Sequence, residues 1–310
     1  MSHISLSQSD ITIQIERLVQ AIESSNSPAW VKSRSASGGM QPTALSRYFK
    51  HIEQMLGLFE QDDTYTYSEH LKAFLFAAQD TRLERGRQGP VCLNEAGTGY
   101  LSYQESMNVL VERIRAYTKE EWYRRRDWDH RLQARKQEKE IRDYVDSVLD
   151  RYARTLVVRV NLYYRSEAQQ RMRVEDMFDD LQRLIRAQER NPIFEHETGY
   201  ICAVEQGNDV GYHIHAAFFF NGSYVRGDIY KAQLIGKLWR CITQGRGYHD
   251  SCNNHKEEKY RDRCGIGMIQ REDGRKRVHV YSAMEYLVKD DQHLRVLPGR
   301  ARTLRKGSRR

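Results

Sequence analysis

Two apolar stretches separated by a short polar turn are the sequence feature that most limits how this chain can fold. Residues 200–206 and 212–220 are rich in apolar and aromatic side chains, and the Asn-Asp-Val-Gly segment at 208–211 has the composition of a tight turn. The pattern predicts an antiparallel hairpin, in which side chains two residues apart on a strand share a face. His213 and His215 should therefore point the same way.

An acidic residue on the first strand of this hairpin completes a predicted metal site. Antiparallel pairing brings Glu205 back beside His213 and His215, and two neutral imidazoles with one carboxylate can hold a divalent ion. If the connecting loop has an even number of residues, Gln206 faces the histidines instead, because one residue of register reverses the face. A carboxylate is the better ligand for Mg²⁺ or Mn²⁺, which favours Glu205.

The pattern on either side of the hairpin predicts the α+β class. An apolar strand and an amphipathic helix precede it, and a second amphipathic helix and two further strands follow. The order β-α-β-β-α-β is the split βαβ, ferredoxin-like arrangement, an antiparallel sheet with helices on one face. The predicted elements are strands 156–164, 265–270, 277–281 and 294–297, and helices 174–189, 228–244 and 282–290.

The same pattern predicts three regions along the 310 residues. Residues 1–150 should form a mostly helical N-terminal domain that serves DNA binding or oligomerisation. Residues 151–298 should form the domain that carries the metal site. Residues 299–310 are rich in arginine and lysine and contain no acidic residue, which is typical of a disordered basic tail.

Composition narrows the class of partner and the cellular compartment. The net charge of +8 favours a polyanionic partner such as nucleic acid. Five scattered cysteines do not make a disulfide framework, and they fit a reducing cytosol. Neither a signal peptide nor an apolar run long enough to cross a bilayer is evident, so we expect a cytoplasmic protein. The sequence also lacks a phosphate-binding loop of the kind found in ATP-driven motors.

A second group of metal-ligating residues lies further along the chain. His249, Cys252, His255 and Cys264 are spaced like a loose zinc loop. Structural zinc sites more often contain paired Cys-x-x-Cys, and the charged residues 256–259 between these side chains favour a solvated loop.

Several motifs in order resemble the HUH endonucleases, which include rolling-circle replication initiators and relaxases. The His-hydrophobic-His motif of that superfamily corresponds to His213-Ile214-His215, and its acidic metal ligand corresponds to Glu205. The first-strand motif matches Val158-Arg159-Val160-Asn161, and the Tyr-x-x-Lys nucleophile motif matches Tyr286-Leu287-Val288-Lys289. Over residues 150–297 the chain is most similar to the inovirus replication-initiation family, or YagK/YfjJ C-terminal domain, of filamentous phages and prophage-like elements.

The resemblance implies a reaction and a set of partners. Tyr286 would attack a phosphodiester of single-stranded DNA and form a 5′-phosphotyrosine, with Lys289 nearby to stabilise phenolate or phosphate charge. This is the chemistry of rolling-circle DNA replication, which implies origin DNA and a host helicase and polymerase as partners. Tyr281 is a second tyrosine for such chemistry, although helical spacing places it on another face.

Two other functions fit the same residues. One is a DNA-binding protein with a degenerate HUH domain. The other is a metal-dependent nuclease that uses water and never bonds to DNA.

Overall fold

The computed structural model describes residues 5–33, 39–60, 64–288 and 294–308. These residues form helices and antiparallel sheets, which confirms the α+β class. The helices are α1 (Gln8–Glu23), α2 (Ile52–Gly57), α3 (Glu69–Thr81), α4 (Tyr103–Tyr117), α5 (Glu121–Arg124), α6 (Arg126–Leu149), α7 (Ser166–Gln169), α8 (Val174–Ala187), α9 (Asp228–Ile242), α10 (Lys256–Tyr260) and α11 (Gly274–Glu285). The strands are β1 (Trp30–Lys32), β2 (Met40–Pro42), β3 (Tyr65–Tyr67), β4 (Glu84–Gly86), β5 (Gly89–Val91), β6 (Arg154–Tyr164), β7 (Glu197–Gly207), β8 (Gly211–Asn221), β9 (Gly247–Ser251), β10 (Gly267–Gln270), β11 (Val296–Pro298) and β12 (Leu304–Lys306). Short 3₁₀ turns occupy Ser46–His51, Pro192–Phe194, Arg261–Arg263 and Tyr286–Val288.

The chain divides into two compact units, residues 1–128 with 295–299 and residues 129–294 with 300–310. This division differs from the predicted boundary at residue 150, because residues 129–149 of α6 belong to the second unit. Ile141 and Val145 of this helix are fully buried in the core of that unit. Apolar side chains at helical spacing, rather than the end of the helix, therefore determine where the second unit begins.

The first unit is built mainly from helices α1, α3 and α4, which pack on one another. Helix α1 begins at a capping box, in which the Ser7 hydroxyl accepts from the Asp10 amide and the Asp10 carboxylate bonds back to Ser7. Leu18 and Ile22 of α1 are completely buried. Strand β11 pairs with β3, so residues 296–298 do not extend the main sheet.

The second unit is organised around an antiparallel sheet in which β8 lies between β6 and β7. The other edge of β6 pairs with two strands, β10 along residues 154–157 and β9 along residues 160–164. The sequence predicted neither a strand nor a helix where β9 lies. The elements β6, α8, β7, β8, α9 and β9 therefore follow one another along the chain, and the strands lie in the order β9, β6, β8, β7 across the sheet.

Helices cover both faces of this sheet, whereas the sequence predicted helices on one face. Helices α8 and α9 pack against β8 and β6 on one side. On the opposite side, α6 and α11 enclose a core that contains Val157, Ala217 and Phe219. Because both faces are buried, the central strands carry apolar residues in succession rather than in strict alternation.

Two further predictions are wrong in detail. Residues 277–281 lie in helix α11 rather than in a strand, because the Asp273 carboxylate caps the helix by accepting from the Lys276 amide at 3.0 Å. Residues 304–306 of the predicted disordered tail form β12, which pairs with the outer edge of β7. A basic tail can be ordered here because the β7 edge offers unpaired backbone groups, and the Val204 amide donates to the Thr303 carbonyl at 2.9 Å.

Among the described helices, none combines the length and the apolar character required to cross a membrane.

The carboxyl of Glu197, the first residue of β7, should make the stability of the fold depend on pH. Burial raises its pKa from 4.5 to about 8. A carboxyl whose pKa is raised in the folded state destabilises the fold progressively as pH rises from the unfolded value toward the folded one. Wild type should therefore lose stability between pH 4.5 and pH 8.5, and Glu197→Gln should not lose this contribution. We expect the unfolding free energy of the variant minus that of wild type to rise by on the order of 2 kcal/mol over this range.

Urea unfolding of the full chain at both pH values measures this difference. Glu195→Gln is the matched control, because the Glu195 side chain two residues earlier is 72% exposed. Equal changes with pH in wild type and Glu197→Gln would contradict the assignment.

Candidate metal centre and nucleophile

The backbone register of the β7–β8 hairpin determines which side chains face the histidines. Glu205 lies directly across from His213, and Gly207 pairs with Gly211, so the connecting loop has an odd number of residues. Gly211 adopts a φ of +63°, a left-handed conformation that favours glycine at the end of the turn. Gln206 pairs with Tyr212 and so points to the opposite face. The alternative in which Gln206 faces the histidines does not occur.

The three predicted metal ligands converge at one end of the sheet. Glu205 Oε2 lies 2.6 Å from His215 Nε2 and 3.3 Å from His213 Nε2. One ligand atom from each residue lies within 4.8 Å of those from the other two. Both histidines are nearly buried, and the Glu205 side chain is 14% exposed. The cluster is therefore shielded but open enough to be reached.

The remaining ring nitrogen of each histidine also faces an oxygen. His215 Nδ1 lies 2.6 Å from Asn161 Oδ1, and His213 Nδ1 lies 3.0 Å from the Gly211 carbonyl. A neutral imidazole has a single N–H, so donation through Nδ1 leaves a lone pair on Nε2 that points at Glu205. A cation between these atoms would satisfy both lone pairs and the carboxylate. The donor set therefore fits a divalent ion.

The charge states of the cluster suit the same role. Burial alone would raise the pKa of Glu205, but the close approach of the His213 and His215 rings to its carboxylate lowers that pKa to about 2. Burial lowers the pKa of His215 below its usual value, and this outweighs the opposing effect of Glu205. An ionised carboxylate beside a neutral imidazole is the state that coordinates a metal.

Asn161 and Tyr163 on β6 support the histidines, and the sequence alone did not assign them these roles. Asn161 pairs with His215 across the β6–β8 ladder. The Asn161 amide nitrogen lies 3.6 Å from Cys252 Sγ, which leaves its oxygen directed at the histidine. The Tyr163 ring stacks on His213 with a centroid distance of 5.3 Å. Strand alternation could have indicated part of this arrangement, because Asn161 and Tyr163 are two residues apart on β6 and therefore share a face.

Tyr286 lies beside this cluster. It is the first residue of the 3₁₀ turn after α11, and 42% of its surface is exposed. Its ring centroid is 6.3 Å from that of His215, and Arg159 Cζ lies 4.9 Å from the same tyrosine ring. Lys289, the other predicted catalytic residue, lies outside the described residues. The structure thus brings four of the five predicted site residues together.

Tyr281 is engaged elsewhere. Its hydroxyl donates to the Asp146 carboxylate on α6, and Arg142 Cζ lies 5.2 Å from its ring centroid. Burial, followed by the hydrogen bond to Asp146, raises the pKa of Tyr281. These contacts hold α11 against α6.

The four residues of the loose zinc loop do not come together as a ligand cluster within the part of the chain that the structure describes. His249 packs closely on α9, where a Cβ added to Gly236 would lie 2.2 Å from the histidine ring. The His255 side chain is 67% exposed, whereas Cys252 is buried. Cys264 Sγ donates to the Ile266 carbonyl at 3.4 Å.

Residues 125–261 match the family model of the YagK/YfjJ C-terminal domain. The match includes the three converging ligands and Asn161, and it ends before Tyr286. Comparison with curated proteins and with solved structures found no match for the chain.

Proposed function

We propose that this protein is a replication initiator of the phage or prophage type, which nicks and rejoins single-stranded DNA through a 5′-phosphotyrosine. The observation that carries this proposal is the convergence of Glu205, His213 and His215 beside Tyr286. A carboxylate and two imidazoles form a ligand set for a divalent ion, and a tyrosine next to such a set is positioned to attack a phosphate bound there.

The arrangement of the second unit supports the same proposal. Its β-α-β-β-α-β order and its strand order β9, β6, β8, β7 agree with a split βαβ core of the kind that the resemblance to HUH endonucleases implies. In this chain the two histidines lie on the third strand of the series and Glu205 on the second. The match to the YagK/YfjJ C-terminal domain covers these strands and agrees with the resemblance found in the sequence.

The proposed reaction exchanges one phosphate ester for another. The Tyr286 oxygen loses its proton and bonds to phosphorus, while the bond from phosphorus to the 3′-oxygen breaks and that oxygen takes up a proton. Bound by Glu205, His213 and His215, Mg²⁺ or Mn²⁺ would supply Lewis-acid polarisation of the scissile phosphate. The ester energy is retained in the phosphotyrosine, so rejoining needs no ATP.

The residues around Tyr286 support this step. The Arg159 guanidinium next to the Tyr286 ring would stabilise negative charge on the attacking oxygen. Asn161 keeps His215 in the orientation that directs Nε2 at Glu205. The role of Lys289, to favour phenolate or to neutralise the phosphate, remains a prediction from the sequence.

The proposal implies particular partners. Single-stranded DNA would enter the site, and the net charge of +8 suits its backbone. The first unit would bind double-stranded origin DNA or another copy of the chain, and the freed 3′-hydroxyl would be extended by a host polymerase with a host helicase.

A denaturing gel tests the proposed function. The full chain is incubated with Mn²⁺ and single-stranded oligonucleotides that tile the replicon encoding it and carry their label at the 3′ end, because the 3′ portion of the cleaved strand is the one that stays on Tyr286. We expect one oligonucleotide to yield a labelled product that migrates with the protein and that disappears on protease treatment. Cleavage without a protein-linked product would instead indicate hydrolysis by water. Binding without cleavage would indicate a DNA-binding protein with a degenerate site.

A further inference from the structure

A small basic pocket lies next to Tyr286 and is separate from the metal ligands. It has a volume of about 130 Å³. Its polar and aromatic lining residues are Arg159, Tyr260, Arg263, His279, Ser282 and Tyr286, and Gly265, Ile266 and Ala283 complete the wall. The side chains that line it include two arginines and a histidine but no carboxylate. At roughly 30 Å³ per water molecule, the pocket has room for about four water molecules, or for one small anion and fewer water molecules.

A buried cation points to the kind of ligand that this pocket takes. Arg159 is 5% exposed, and its Nε atom is buried without a hydrogen-bond partner among the described residues. Burial of a charged guanidinium is unfavourable unless an anion or several acceptors compensate for the lost hydration. The buried Nε2 atom of His279 also lacks a partner in the described chain. Arg159 and His279 both line the pocket, and an unsatisfied nitrogen on each of these side chains favours an oxygen-rich ligand close to them.

The fold holds Arg159 in place through its backbone. The Arg159 amide donates to the Asn253 side-chain oxygen at 2.8 Å, and the Asn253 amide nitrogen donates to the Val157 carbonyl. Strand β10 pairs with β6 up to residue 157, and β9 pairs with it from residue 160. The Asn253 side chain makes the backbone hydrogen bonds of β6 between these two partners. Gly265 lets its own backbone lie close to that of His279 on α11, because a Cβ on residue 265 would lie 2.1 Å from the His279 carbonyl oxygen. The pocket is therefore built into the framework of the second unit.

We infer that this pocket binds a phosphate group of the DNA strand, the one that neighbours the phosphate attacked by Tyr286. Guanidinium groups bind phosphate oxygens through charge-assisted hydrogen bonds, and a pocket lined by arginines and histidine suits phosphate better than an uncharged base. Tyr286 borders both the metal ligands and the pocket, so a strand laid across it would present successive phosphates to the two sites. Assignment to a neighbouring nucleotide rests on the proposed function, whereas phosphate binding by the pocket does not.

Phosphate binding can be measured without metal and without cleavage. The full chain is labelled with ¹⁵N at arginine Nε, and inorganic phosphate is added with chloride at equal ionic strength as the reference. We expect one Nε–H signal, identified by its absence in Arg159→Met, to shift saturably with phosphate and not with chloride. His279→Phe should weaken phosphate binding about 10-fold, the effect of losing one hydrogen bond to a charged group.

Two controls separate phosphate binding in the pocket from a general effect of charge and from misfolding. Arg275→Met removes the same charge from an exposed position of α11 and should leave phosphate binding unchanged. Replacement of a buried arginine by methionine is often tolerated, and thermal unfolding of Arg159→Met checks that the variant folds. The inference is overturned if the Arg159 signal does not respond to phosphate, or if His279→Phe binds phosphate as tightly as wild type.

The assignment to the neighbouring nucleotide has its own test. Methylphosphonate groups replace single phosphates along the oligonucleotide that becomes protein-linked, and its affinity for Tyr286→Phe is measured. One replacement next to the cleaved position should weaken binding about 10-fold, and this loss should vanish when Arg159→Met is added. A loss that persists in the double variant would overturn the assignment. Phosphate binding without any protein-linked product would leave the pocket in place and refute the proposed reaction.

Discussion

Tyr286→Phe is expected to abolish the protein-linked DNA product, with a loss on the order of 10³-fold or more in the rate of linkage. The substitution removes one oxygen, and that oxygen is the atom proposed to bond to phosphorus. The ring remains and can still contact Arg159 and His215. Because Tyr286 is 42% exposed, loss of its hydroxyl should change the unfolding free energy by no more than about 0.5 kcal/mol. A denaturing gel and a thermal melt measure the two effects.

Tyr281→Phe is the matched control for this experiment. It makes the same chemical change five residues earlier, but it removes a hydrogen bond to Asp146 on α6. We expect this variant to retain the linked product and to lose about 1 kcal/mol of stability, which should lower Tm by a few degrees. The two variants should therefore show opposite patterns, one losing chemistry and the other losing stability.

The reverse pattern would reassign the nucleophile. If Tyr281→Phe abolishes linkage while Tyr286→Phe retains it, the tyrosine that bonds to DNA is Tyr281. If both variants retain linkage, neither tyrosine is the nucleophile and the proposed mechanism is wrong.

The local geometry of the metal cluster could be predicted from the sequence because it depends on one hairpin. Side chains on a strand alternate between faces, so His213 and His215 must share one, and a three-residue loop is enough to bring Glu205 opposite His213. The two strands are neighbours in sequence, and little else of the fold enters the argument. The identity of the third ligand depended on a single residue of register, which sequence reasoning narrowed only by the chemistry of carboxylates.

Features that depend on contacts distant in sequence could not be predicted in this way. Strand β9 contains histidine, aspartate and serine, and its extended form depends on pairing with β6 some 90 residues earlier. Residues 304–306 likewise form a strand because they pair with the outer edge of β7. Arg159 looks like a polar interruption in an apolar strand, and its burial beside Tyr286 follows only when α11 is packed on the sheet.

Removal of one metal ligand should have the second large effect, and it can be read without any DNA. A ligand that binds only the folded state stabilises it by about 2.7 kcal/mol when its concentration is 100 times its Kd. We therefore expect Mn²⁺ to raise the Tm of the wild-type chain by several degrees. Titration calorimetry then gives the affinity that the variants change.

The variants form a graded series around His215. His215→Gln removes the imidazole nitrogen that lies 2.6 Å from Glu205 Oε2, and we expect a loss of Mn²⁺ affinity of about 100-fold together with loss of DNA cleavage. Asn161→Ala leaves the ligand but removes the oxygen that holds its Nδ1, and outer residues of this kind typically contribute about 10-fold to 100-fold in affinity. His255→Gln changes an exposed histidine and should have no effect.

The order of these effects tests the geometry, because each substitution acts on a different atom of one chain of contacts. In this series of contacts, Asn161 Oδ1 meets His215 Nδ1, and Nε2 of the same ring meets Glu205 Oε2. If the tautomer of His215 is held by Asn161, then loss of Asn161 should weaken Mn²⁺ binding less than loss of His215 and more than loss of His255. Equal Mn²⁺ affinity in wild type and His215→Gln would show that these three side chains do not form the metal site, and the loss of a metal centre beside Tyr286 would remove the basis of the proposed reaction.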